Sequence, residues 1–467
     1  MNTTHVTQKI QNQSRLHQIN LAFIMSRGTK IILKCTKIII QTMVKSNKFL
    51  ITLTALSCFE IAQCLSTTPA HSSSTSTTIK IGTRFSKLAL VQAHKFQTAI
   101  EQNIVSKSDS SPLIHAQIVP IDTSGDQTKK KHALNGNKNG GAGSIQDLPM
   151  AVQGVDFMGA LDDAISNGSV DVAVHSLKDI PPESRWGAIE HGENEKPNVM
   201  IGAYLGPRAN PFDVLVTINT QERSSSSIES IQSLPFGARV GSSSIRRHAQ
   251  LKAHRPDLQL VNIRGNVDAR IKALENEEVD ALILAQAGLE RLGIIDDFNN
   301  NDRIKQDNNE YRDCRFCTIP AETMLPGAGQ GIIAVTCKSD NQEILSILQS
   351  VDDFEVRMAA TAERAFLDIV QSISPWNGRP PLAAFMSPPS LSKTQQDDDY
   401  GINNTGDESS LWIFRGLLAT PDGSHVIRVR HTLKNDDCNE ESAYNLGRLA
   451  GDEVVGLAGD DFLNGYY

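Results

Sequence analysis

Two stretches of the chain, Ala164-Ile-Ser-Asn-Gly-Ser-Val-Asp-Val-Ala-Val-His175 and Ala273-Leu-Glu-Asn-Glu-Glu-Val-Asp-Ala-Leu-Ile-Leu284, read alike. Each leaves a helix end, passes a polar turn and enters Val-Asp and a β-rich run. A second pair lies further out. Thr78-Ile-Lys-Ile-Gly82 alternates as a strand does, and Thr83-Arg84-Phe85-Ser86 and a helical pattern from Leu88 follow it. Ala238-Arg-Val-Gly241 leads in the same way into Ser242-Ser-Ser-Ile-Arg246-Arg247 and a helical stretch. Both copies give strand, Gly, hydroxyl-rich turn and helix. Repeated α/β units of this kind predict open sheets with helices on both faces.

The 467 residues suit two or three domains, at roughly 100–200 residues each. A composition 39% apolar and 21% charged excludes a collagen, a coiled coil or a wholly disordered chain. The mean hydropathy of -0.26 excludes a polytopic membrane protein. Seven cysteines are too few for a disulfide scaffold, and an odd count cannot all pair within the chain. The net charge of -8 is uneven: residues 1–79 hold eight Lys/Arg and one acid, Glu60, so they carry +7 and the remainder -15. An acidic body argues against general nucleic-acid binding, which needs a basic face. Any anion site must be a local basic cluster.

The basic N-terminus reads as an address. Lys45 and Lys48 precede the apolar run Phe49–Phe59, and a Ser/Thr tract at 71–78 follows. The run matches a secretory-type signal and is too short for a comfortable membrane span. Met43 offers an internal start. Residues 1–77 are therefore expected to be a targeting segment and linker. Three segments without helical or strand periodicity, Thr123–Ser144, Asn299–Asp313 and Met386–Ser410, read as surface insertions.

The chemistry concentrates at the turns. Backbone N–H groups and hydroxyls at a helix N-terminus bind anions. Arg84 with Ser86, and Ser242 and Ser244 with Arg246 and Arg247, make two candidate anion sites; simple helix capping explains the hydroxyls equally well. Arg264-Gly-Asn-Val-Asp-Ala-Arg270 and Arg291 add cations at element ends of an acidic body. Together they suggest a cleft for a molecule with several carboxylates, which the planar fork of Arg suits. His175-Ser176-Leu177-Lys178-Asp179-Ile180-Pro181 follows the expected strand Val170–Val174, at the end where open α/β sheets place ligands. Lys178 can neutralise an acid group. Asp179 can act as general acid/base or stabilise a cation. Cys314-Arg-Phe-Cys317 invites a metal or redox reading, but no second ligand pair accompanies it. No P-loop occurs.

The motifs Ile81–Gln92, Val174–Pro181, Val240–Arg247, Arg264–Arg270 and Leu325-Pro-Gly-Ala-Gly-Gln-Gly331 occur together and in order. With them the chain resembles the porphobilinogen deaminase (hydroxymethylbilane synthase) family from about Thr78 to Leu433. The resemblance implies an α/β fold with two doubly wound domains like those of periplasmic binding proteins, 78–208 with 328–350 and 209–327, and a smaller α/β domain, 351–467, which carries the cofactor in the family. It implies the head-to-tail joining of four porphobilinogen molecules with release of ammonia. Asp179 matches the family's catalytic Asp. Arg84, Ser86, Ser176, Lys178, Ser242, Ser244, Arg246, Arg247, Arg264, Arg270 and Arg291 match positions that hold cofactor or substrate carboxylates; Gln92, Phe157 and Gln330 match cleft and hinge positions. Arg208 lies outside the motifs and is expected to matter less. A monomer acting on a small molecule is implied, without nucleic acid or, in the mature form, membrane. A plastid location is implied, with the mitochondrion as alternative.

The chain departs from the family where its dipyrromethane primer is attached. Ala362-Glu363-Arg364-Ala365 is present, but alignment on Arg379-Pro-Pro-Leu-Ala-Ala384 puts Gly378 where the attachment Cys belongs. Glycine offers no nucleophile, so the thioether cannot form there. Three explanations stand: a primer held without the usual bond or through another residue, a non-catalytic paralogue that still binds pyrrole carboxylates, or an error of the gene sequence within Gln371–Ala383. Lys87, Phe212 and Gln153–Phe157 are milder departures.

Overall fold

A computed structural model describes residues 77–105, 114–123, 158–182, 198–218, 228–295, 311, 313–372, 380–390 and 410–465. The targeting segment, most of the three expected insertions, Phe157 and Gly378 lie outside the described residues.

In the first sheet, β1 (Thr77–Arg84) leads into α1 (Lys87–Val105), which returns the chain to β2 (Ile114–Ile121). After α2 (Gly159–Ser166) come β3 (Val172–Ser176), a 3₁₀ turn at Leu177–Asp179, and β4 (Val199–Leu205). The strand order is β2-β1-β3-β10-β4, with β10 (Ile333–Lys338) antiparallel to both neighbours. Alternate residues of β1 explain the packing: Ile79 and Ile81 point into one core with Phe96 and Ile100 of α1, all essentially inaccessible. Each such side chain contributes about 1.5–3 kcal/mol by leaving water.

The second sheet repeats the plan. β5 (Asp213–Ile218) enters it from β4, and β6 (Arg239–Gly241), α3 (Ile245–His254), β7 (Gln259–Val261), α4 (Val267–Glu275), β8 (Ala281–Ala285), α5 (Gln286–Arg291) and β9 (Cys314–Ile319) follow. The order β7-β6-β8-β5-β9 mirrors the first sheet, and β5, like β10, runs antiparallel to its neighbours. The Val-Asp repeat has a physical reason. Asp171 accepts the backbone N–H of Lys80 in β1, and Asp280 accepts that of Arg239 in β6, each at 2.8 Å. Each acid therefore sets the register of its strand against the neighbour. The matched polar turns both need a left-handed residue, Gly168 (φ 76) in one copy and Glu277 (φ 59) in the other.

The third sheet is antiparallel, β11 (Leu382–Ser387), β12 (Leu411–Ala419) and β13 (Val426–Lys434). Two long helices complete the structure after α6 (Gln342–Gln349): α7 (Phe354–Ser372) and α8 (Glu440–Gly465), which share one core with Trp412 and Phe414.

Two expectations change, and the CxxC falls on a strand. The strand placed at Val170–Val174 runs over Val172–Ser176, because the Val170 N–H closes the preceding turn on Ala164. The insertion expected from Met386 starts later, since Met386 and Ser387 are buried members of β11. Cys314 and Cys317 are three residues apart on the edge strand β9, where successive side chains alternate faces, so each joins a different hydrophobic cluster. Both thiols are free, and among the described residues no cluster of metal-ligating side chains includes them.

Candidate functional site

Parallel strands end at one sheet edge, and the candidate residues follow those ends. In the first sheet β1 delivers Arg84 and Ser86 beside the turn that β3 delivers. That turn is anchored by its apolar residues. Leu177 and Ile180 are buried; the Leu177 N–H donates to the Ile332 carbonyl at 3.0 Å, and the Ile180 N–H to Leu177 at 3.0 Å. Lys178 and Asp179, between them, are exposed. The Ser176 hydroxyl is held by Gln92, whose Nε2 donates to it at 2.8 Å. His175 is buried against Thr336, Nε2 to Oγ1 3.1 Å, and burial, assisted by the charge of Arg84, pushes its pKa down to about 4. It is neutral at physiological pH and serves the sheet.

Lys178 keeps accessible surface while protein surrounds it, as on the wall of a deep cleft. Desolvation lowers its pKa to about 8, the nearby Asp179 opposing the shift and Arg247 and Arg246 of the second sheet reinforcing it. The turn and Arg246 of α3 are anchored on one segment, the Leu177 N–H on the Ile332 carbonyl and Arg246 on the Leu325 carbonyl.

Those arginines have an acidic partner that sequence reading misses. Asp213, first residue of β5, is fully buried and accepts from Arg246 and from Arg247, both at 2.8 Å, and from Gln330 Nε2 at 2.9 Å. The two guanidinium groups hold its carboxyl well below the usual carboxylate range, although burial alone would raise it. Arg246 also donates to the Leu325 carbonyl and Arg247 to that of Ile283. Both are thus struts first, with part of their donor capacity left toward the cleft. Ser86 and Ser244 act as caps, accepting from the N–H groups of Ala89 and Arg247. The Ser242 hydroxyl accepts from the Ser244 N–H within the same turn.

Arg270 donates to the Gly265 carbonyl and Arg291 to that of Gly331. Burial lowers both to about 10, so both remain cationic at neutral pH. Arg264 is exposed. Among the described residues Lys178, Asp179 and Arg264 have no side-chain hydrogen bond and are open to a ligand. Lys87 of α1 reaches Asp268 of α4 at 3.1 Å, an exposed pair that links the Arg84 turn to the Arg264–Arg270 segment of the second sheet. The Asp268 carboxylate also accepts from Tyr311 at 2.9 Å.

The chain crosses between the sheets twice, at 206–212 and 325–332. The crossings touch where Gly331 (φ 86) leaves no room for a Cβ, which would lie 2.3 Å from the Ala209 carbonyl. Arg208, outside the carboxylate-binding motifs, has a structural task. It is buried in a two-armed ion pair with Glu363 of α7 (2.6 and 3.1 Å), and its Nε donates to the Gln330 carbonyl. Glu363 further accepts from the Gly329 and Met386 N–H groups. One carboxylate thus joins both crossings to the third sheet. Glu363 is one of three acids in α7, and nothing in the sequence sets it apart from Glu355 and Asp368.

The structure brings Lys178, Asp179, Arg246, Arg247 and Arg270 into one electrostatic neighbourhood, with Arg84 beside His175 and Arg291 at the crossing. The donor set fits a ligand bearing several carboxylates. It supplies no thiol: Cys314, Cys337 and Cys438 are packed in hydrophobic cores, and burial raises them to about 12, 11 and 11. Cys317 lies in a further such core.

Comparison with known proteins gives a consistent result. Residues 79–346 match the family model "Porphobilinogen deaminase, dipyromethane cofactor binding domain". A chloroplastic porphobilinogen deaminase of Oryza sativa subsp. japonica is 30% identical over 83% of this chain and 86% of its own. A porphobilinogen deaminase of Roseiflexus sp. is 35% identical over 62% of this chain and 76% of its own. Among solved structures, the periplasmic VFT2 domain of Bordetella pertussis BvgS aligns over 59% of this chain and 86% of its own, with 13% identity and a TM-score of 0.31.

Proposed function

The chain belongs to the porphobilinogen deaminase family, and from this we propose that it is a hydroxymethylbilane synthase-type transferase, joining porphobilinogen units head to tail with loss of ammonia. The observation that carries the reading is that the Lys178-Asp179 turn of the first sheet and Arg246 of the second are anchored on the same crossing, the Leu177 N–H on the Ile332 carbonyl and Arg246 on the Leu325 carbonyl. Lys178, Arg264 and Arg270, with the charge of Arg246 and Arg247 behind them, bind the acetate and propionate groups of the pyrroles. The Asp179 carboxylate accepts from the substrate's pyrrole N–H. It stabilises the cation that grows there as ammonia leaves the aminomethyl carbon, the placement of fixed charge that lowers a barrier most. The free α-carbon of a neighbouring pyrrole then bonds to that carbon and loses its proton.

A dipyrromethane, when bound, supplies the terminal pyrrole carbon at which growth starts. The same cations hold its carboxylates, and ionic contacts stand in for the thioether that Gly378 cannot make. In this reading 78–208 with 328–350, 209–327 and 351–467 are the three domains of a monomer. Residues 1 to about 75 are removed on import into a plastid; the chloroplastic relative in rice supports this.

Ammonia release during incubation with porphobilinogen tests the proposal. Wild type should release it, and Asp179→Asn should be slower by about 10²-fold or more. A wild-type chain that binds porphobilinogen and releases none would be the non-catalytic binding protein, the reading that Gly378 favours.

A further inference from the structure

Helix α7 has two working faces. Met358, Ala359, Ala362, Phe366 and Val370 fill the core of the third sheet. A second stripe, Val356, Ala360 and Arg364, has a four-residue spacing that aligns it along one side of the helix. Val356 and Ala360 share a cluster with Leu177 and Ile180, the two apolar anchors that flank Lys178 and Asp179. Arg364, 7% exposed, continues the stripe and donates through NH2 to the Pro181 carbonyl at 2.8 Å and through NH1 to that of Ile180 at 3.4 Å.

We propose that Arg364 is a positioning residue, fixing from α7 the turn that presents Lys178 and Asp179 to the cleft. The turn is three residues of 3₁₀ helix, a short element with poor hydrogen-bond geometry of its own. Its far side is open to the cleft. What holds it is the apolar pair beneath it, the Leu177 N–H bond to the Ile332 carbonyl before Lys178, and the Ile180 and Pro181 carbonyls that Arg364 gathers just after Asp179. The same helix carries the third sheet on its other face, so a shift of that domain reaches Asp179 through Arg364. Glu363, the preceding residue, does the corresponding task at the crossings and does not touch the turn.

The turnover part rests on the proposed transferase reading, and the experiment separates the two. Amide exchange by mass spectrometry and ammonia-release kinetics are followed in wild type, Arg364→Ala and Arg364→Lys. In Arg364→Ala, exchange at the Leu177 and Ile180 amides should rise, while β3 and the third sheet keep their protection. The kcat should fall by about 10–100-fold, as small misplacement of a reacting group does, with KM nearly unchanged. Arg364→Lys, able to reach one carbonyl, should recover part of both. Unchanged exchange at the turn, equal loosening everywhere, or a raised KM at unchanged kcat would overturn the proposal. If the wild type releases no ammonia, the transferase reading fails alone and the exchange data still decide. If Arg364→Ala does not fold, Arg364→Gln is read by the same criteria.

Discussion

At Lys178 two effects oppose each other, and their balance has a measurable consequence. The cleft wall removes water and lowers the ammonium pKa from 10.5 to about 8, against the pull of Asp179. Between these values the unfolded chain binds more protons than the folded one, so this group makes stability rise with pH there. Carboxylate binding goes the other way, since it needs the charged form. Affinity for a dipyrrole carboxylate should weaken by about tenfold from pH 7 to pH 9 in wild type and stay flat in Lys178→Arg, as read by calorimetric titration. Equal slopes in the two proteins would contradict the assignment. Lys178 and Asp179 were legible in the sequence because a strand end followed by polar residues and Pro leaves them no place in a core. Asp213 was not. An acid at the head of Asp213-Val-Leu-Val-Thr-Ile218 reads as a surface residue until the fold brings Arg246 and Arg247 from over thirty positions away.

Among the elements, the two crossings and α7 form one ionic joint. Arg208→Ala leaves Glu363 fully buried beside two N–H groups and without its cation. Breaking a buried pair from one side costs about 3–5 kcal/mol, so thermal or urea unfolding should show a loss of that size. A change below about 1 kcal/mol, the range of an exposed pair such as Lys87–Asp268, would mean that the joint carries little load. The helices and strands around this joint were legible through Gly-turn-helix order and alternation. The joint itself was not, because its partners lie 155 residues apart and sequence periodicity reports only on neighbours. The CxxC stayed open for a related reason: spacing alone does not tell a loop, where two thiols can converge, from a strand, where they part.

For the whole molecule, the internal repeat gave the architecture: two sheets of matching order, each with one strand antiparallel to its neighbours, β10 or β5, that the chain enters directly from a crossing. Two crossings between such sheets leave a cleft at the ends of the parallel strands, where the cations gather. Every cysteine of the described residues packs into or against a hydrophobic cluster, and the family resemblance puts Gly378 at the attachment position. In the proposed reading the cleft therefore holds pyrroles by charge alone. Mass spectrometry of the chain after incubation with porphobilinogen, recorded in native and in denaturing solvent, tests that directly. The expected result is an adduct of linked pyrroles in the native spectrum that disappears on denaturation. A pyrrole mass increment that survives denaturation, or no adduct in either solvent, would contradict it.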